Sequence, residues 1–118
     1  MKGKAAFLFF VIFLVSVSIA YAHPASDIKI TFDLNTKMLK AVIMHNVSDP
    51  LKHYIKKVDV GLNGNEVIEH NISRQDNNEN QTVTYLIPEA KDGDALSVES
   101  YCSISGILEK KITLKAGE

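Results

Sequence analysis

Four histidines and one cysteine are the side chains in this sequence whose types most suit transition-metal chemistry. His45 and His53 flank a proline-containing turn in HNVSDPLKHYI, His23 stands after a hydrophobic leader, and Cys102 precedes a glycine-containing turn in YCSISG. Imidazole nitrogen and one thiolate together suit iron, copper or zinc, and make a poor set for calcium or magnesium, which prefer oxygen. His70, inside EVIEHNIS, reads instead as a solvated or hydrogen-bonded histidine of a strand. A single cysteine allows no disulfide within the chain, so Cys102 is expected to be buried, paired between chains, or bound to a metal. No Ser/His/Asp arrangement and no glycine-rich phosphate loop stands out, and the acidic residues are scattered.

These residues can act together only if the chain brings them to one place, and its pattern is that of short strands. Ile28, Ile30 and Phe32 alternate with polar residues in DIKITFDL, and MLKAVIMH follows after the turn Asn35-Thr36-Lys37. Tyr54 to Leu62 repeats the alternation with Val58, Val60 and Leu62 on one face, and Asn63-Gly64 supplies a tight hairpin turn into EVIEHNIS. RQDNNEN (74–80) reads as a polar loop, Thr82 to Ile87 as a fifth strand stopped by Pro88, Leu96 to Cys102 as a sixth, and Leu108 to Leu114 as a seventh. No stretch has sustained helical periodicity. Seven short strands predict an all-β, immunoglobulin-like antiparallel β-sandwich, with an antiparallel barrel as the alternative. In either, His45 at the end of the second strand and His53 at the start of the third share a rim, and Cys102 ends the sixth strand.

Residues 1–22, MKGKAAFLFFVIFLVSVSIAYA, carry Lys2 and Lys4, an apolar run from Ala5 to Val17, and the small-x-small site Ala20-Tyr21-Ala22. This is the pattern of a secretory signal peptide, with an uncleaved membrane anchor as the alternative. Cleavage after Ala22 predicts a secreted or periplasmic domain spanning 23–118, without stable membrane insertion, and makes His23 its first residue. Roughly a hundred residues suffice for one core. The leader removes two lysines and no acid from 13 basic and 14 acidic side chains, leaving a net charge of −3. With no basic run to neutralise phosphates, nucleic acid is excluded as a partner.

HNVSDPLKHYIKKVDVGLNGNEV, followed later by YCSISG, resembles the iron domain of the superoxide reductases, the desulfoferrodoxin and neelaredoxin family. The similarity runs from His23 to about Leu114. It lies in the His-Tyr-Ile entry to a strand of x-V-x-V-x-x-x-G form and in the cysteine and glycine near the end. The resemblance implies an immunoglobulin-like sandwich and a ferrous iron held by four histidines in a plane, with a cysteine opposite an open position. It also implies a small redox electron donor, and reduction of superoxide to peroxide with one electron from the iron. A thiolate trans to the substrate would push electron density onto it, as in thiolate-ligated haem. Carried over, His23, His45 and His53 match three histidine ligands and Cys102 the axial thiolate.

Two features depart from the family. Where its fourth histidine would follow the cysteine, this chain has Ser105, and the glutamate-lysine pair before the first histidine is replaced by Tyr21-Ala22 of the leader. The lost lysine removes part of the electrostatic steering of an anionic substrate. If His23 is the mature N-terminus, its α-amine is a candidate to supply the missing nitrogen. Two other readings remain open: a copper-binding periplasmic sandwich using an N-terminal His23, and a metal-free module that binds a partner through its faces.

Overall fold

The computed structural model describes residues 23–117, so the leader and its cleavage site lie outside the described residues. Seven strands occur in the order expected: β1 (Asp27–Asp33), β2 (Met38–Met44), β3 (Ile55–Leu62), β4 (Asn65–Asn71), β5 (Asn80–Leu86), β6 (Ala95–Cys102) and β7 (Ile107–Thr113). They form two antiparallel sheets, β1-β2-β5 and β4-β3-β6-β7. Among the described residues no ladder joins the sheets, which sets the barrel aside in favour of the sandwich. β5 starts earlier than its apolar residues suggest, because Asn80 and Gln81 already pair with Met44 and Ile43.

The two-residue period of a strand decides what goes inside. Ile28, Leu39, Ala41, Ile43 and Val83 from the three-stranded sheet meet Ile55, Val58, Val60, Leu62, Leu96 and Val98 from the other, all buried. A bulge between Ile55 and Lys57 shifts the phase of β3 by one residue, so Ile55 and Val58 both face inward. Asn63 (φ 52°) and Gly64 (φ 86°) both take left-handed conformations and turn β3 tightly into β4. These apolar side chains from the two sheets form one contiguous buried cluster. Leu39→Ala, which empties a fully buried site, is expected to cost about 2–5 kcal/mol in a urea unfolding titration.

Candidate metal centre

Strand parity delivers two of the chemical residues to the space between the sheets. In β2 the inward row is Leu39, Ala41, Ile43, and the next member of that series is His45, only 1% exposed. In β6 the row is Leu96, Val98, Ser100, and it ends on Cys102, 3% exposed. Since β3 pairs antiparallel with β6, Ile55 lies opposite Cys102 and His53 enters at the same rim. Because β1 runs antiparallel to β2, the chain before Asp27 also starts there, bringing in His23.

Local chemistry then holds each segment. Asp49 caps the turn before His53: its carboxylate accepts from Leu51 N at 3.0 Å and its carbonyl from His53 N at 2.9 Å. Pro50, whose φ suits the first position of a helical turn, follows it. The arm bearing His23 is pinned by Ser26 N donating to Met44 O at 2.8 Å and by the buried Ala25. Gly106 adopts φ +102° directly against Pro24, where a Cβ would stand 2.7 Å from the proline ring. Cys102 N donates to Gly106 O at 3.0 Å, so this contact joins the cysteine turn to the histidine arm.

The result is a cluster of imidazoles. The rings of His23, His45 and His53 lie 4.7–4.9 Å apart between centroids. Among the described residues they are the one group of His, Cys, Asp or Glu side chains placed to hold a metal ion, with ligand atoms within 4.8 Å of one another. His45 is buried, His53 half-buried and His23 partly exposed, giving the cluster an open side. Cys102 is outside this group of three, and its thiol meets His53, with Sγ 3.2 Å from Nε2. Bond lengths of about 2.1 Å to nitrogen and about 2.3 Å to sulfur put two ligands at a right angle on one ion about 3.1 Å apart. The His53–Cys102 contact therefore matches two adjacent ligands as well as it matches a hydrogen bond. Ile104 N also points at Sγ, at 3.4 Å, a donor suited to a thiolate.

Burial, with the neighbouring His45 and His23 adding to it, pushes the pKa of His53 below the usual 6.5. The folded protein thus favours the neutral ring, the form that ligates metals. An unfolded chain takes up this proton near pH 6.5 while the folded one resists until lower pH. Stability is therefore full above the unfolded value and is lost as pH falls through the folded one. Urea midpoints of the metal-free protein are expected to drop as pH falls below about 6.5, and His53→Gln should flatten that drop.

Gln75, completely buried, hydrogen-bonds His45 Nδ1 through Oε1 at 2.8 Å, although it lies in the loop read as wholly polar. Its position in RQDNNEN follows no period, and no sequence signal pointed to it. Ser105 is exposed on the turn after Cys102, outside the group of three imidazoles. His70 lies away from the rim and hydrogen-bonds Tyr85 at 2.7 Å, as a strand histidine with a polar neighbour should.

Comparison with protein-family models finds none that matches the chain, and comparison with curated proteins likewise finds no match.

Proposed function

We propose that this is an exported mononuclear non-haem iron protein of superoxide-reductase type, with His23, His45, His53 and Cys102 as its iron ligands. The observation that carries this reading is the convergence of three imidazoles from three segments at one rim, with a buried thiol against the third. Ferrous iron, when bound, would supply the single electron that turns superoxide and two protons into hydrogen peroxide. Turnover would draw its electrons from a small external donor. The chain's own part is to hold and orient. His53 is kept neutral, His45 is locked from behind, and Cys102 offers its sulfur beside a backbone N–H.

The α-amine of His23 takes the place of the histidine that Ser105 replaces. A form of the protein with one extra residue before His23 should therefore bind iron more weakly. Unchanged affinity would remove the amine from the ligand set. The reductase reading is tested by giving superoxide to the iron-loaded protein with excess reductant and counting peroxide. Reduction yields one peroxide per superoxide and dismutation yields half, so half-stoichiometry, or no acceleration, rules the reductase out.

Copper is the second reading, favoured by one observation: the group of three is all nitrogen, with the thiol outside it. Copper(II) suits such a set. Separate titrations with iron(II) and copper(II), each with and without Cys102→Ala, distinguish the two: copper(II) outbinds iron(II) at most sites, but only the iron reading requires the sulfur.

A further inference from the structure

We propose, building on that metal reading, that Gln75 is a positioning residue that fixes the tautomer of His45 and leaves its Nε2 as the atom presented to the metal. Gln75 Nε2 donates to His45 O at 2.8 Å and to Asn77 O at 3.0 Å. Both partners are carbonyls, which only accept, so the orientation of the amide is settled by its neighbours. Oε1 is then the atom facing His45 Nδ1, and that nitrogen must carry the proton. In a neutral ring the other nitrogen, Nε2, holds a bare lone pair.

That lone pair is not matched by a donor. Nε2 of His45 lies 3.1 Å from His23 O, itself an acceptor. With the ring neutral, two electron-rich atoms would face each other beside the imidazole cluster, an arrangement that a cation at Nε2, proton or metal, relieves. Gln75 is well placed to create this poise without adding charge. A carboxylate in its position would favour the imidazolium and set a proton against the metal. The same residue also braces the second ligand segment, because Gln75 N donates to Pro50 O at 3.1 Å in the turn that carries His53. Metal-binding histidines commonly have such a partner behind the ring, and its loss costs about 10–100-fold in affinity.

The test uses nitrogen-15 NMR of the metal-free protein at about pH 8, above the histidine range, together with titration of zinc(II), which is redox-silent. The wild type should show His45 protonated at Nδ1. Gln75→Met, of similar shape but lacking the acceptor, should lose that signature and bind zinc about 10–100-fold more weakly. Gln75→Glu, which keeps an acceptor, should retain the Nδ1 proton. A wild-type His45 protonated at Nε2 overturns the assignment even if Gln75→Met fails to fold. So does a folded Gln75→Met protein that binds zinc as the wild type does. A wild type with the Nδ1 proton that takes up neither zinc nor iron upholds the role of Gln75 in setting the tautomer and overturns the metal reading.

Discussion

His45→Ala is expected to abolish tight metal binding and to destabilise the fold, whereas His23→Ala should abolish binding and leave stability almost unchanged. Both residues belong to the imidazole group, so either loss removes one of three converging nitrogens. The effect on affinity should exceed the roughly 10–100-fold that a supporting residue costs. Their surroundings differ. His45 is 1% exposed, and its ring is the partner of the fully buried Gln75 Oε1. Truncation leaves that oxygen without a donor, which costs about 1–3 kcal/mol, and opens a void at the end of the β2 row. The sum is about 2–4 kcal/mol. His23 is partly exposed, and among the described residues its ring nitrogen bonds only the neighbouring Pro24 O, so its removal should stay within about 0.5 kcal/mol. Urea unfolding of the metal-free variants, beside metal titration of each, checks both halves. Equal stability losses would mean that the buried His45–Gln75 contact adds nothing to the fold's stability. Retained affinity in either variant would remove that residue from the ligand set.

Gly106→Ala carries the second large effect, because one substitution disturbs the histidine arm and the cysteine turn together. The residue sits at φ +102°, where side chains are strained, and its new Cβ would lie 2.7–2.8 Å from atoms of Pro24. Backbone strain of this kind costs about 1–3 kcal/mol. The proline can yield only by moving, and His23 precedes it directly. On the other side Gly106 O accepts from Cys102 N, so the thiol moves as well. The variant should lose about 1–3 kcal/mol and also bind metal markedly more weakly. Gly93→Ala is the control. Gly93 has a similar φ of +91°, but its Cβ would meet nothing within 4 Å. It lies in the turn that leads into β6, whose far end carries Cys102. It should show the backbone cost and no change in affinity. If both variants bind metal like the wild type, the Pro24–Gly106 contact has no part in shaping the site.

The strands were legible because burial on one face leaves a period of two, and that period is local. Leu39, Ala41 and Ile43 point to His45, and Leu96 and Val98 point to Cys102, without any knowledge of the partner sheet. The hairpin at Asn63-Gly64 was equally readable, since only a few residue types tolerate two successive left-handed positions. Antiparallel order then brings His23 and His53 to the rim where β2 and β6 end. Gln75 was hidden for the opposite reason. Its burial depends on how loop 74–79 folds back over the 45–47 segment, through His45 N to Glu79 O and Val47 N to Asn78 O. Nothing in the loop's composition separates Gln75 from its exposed neighbours. The bulge after Ile55 and the closeness of Gly106 to Pro24 are likewise tertiary facts. The sequence offered the three histidines and Cys102 as candidate ligands, and the structure groups the imidazoles and seats the thiol against His53.

The most direct measurement is anaerobic iron(II) titration of a protein prepared to begin at His23, followed by metal analysis and an absorption spectrum after oxidation. One iron per chain is predicted, with a visible thiolate-to-iron band that disappears in Cys102→Ala and no uptake in His45→Ala. A folded protein that takes up neither iron, copper nor zinc would contradict the assignment of this rim as a metal centre.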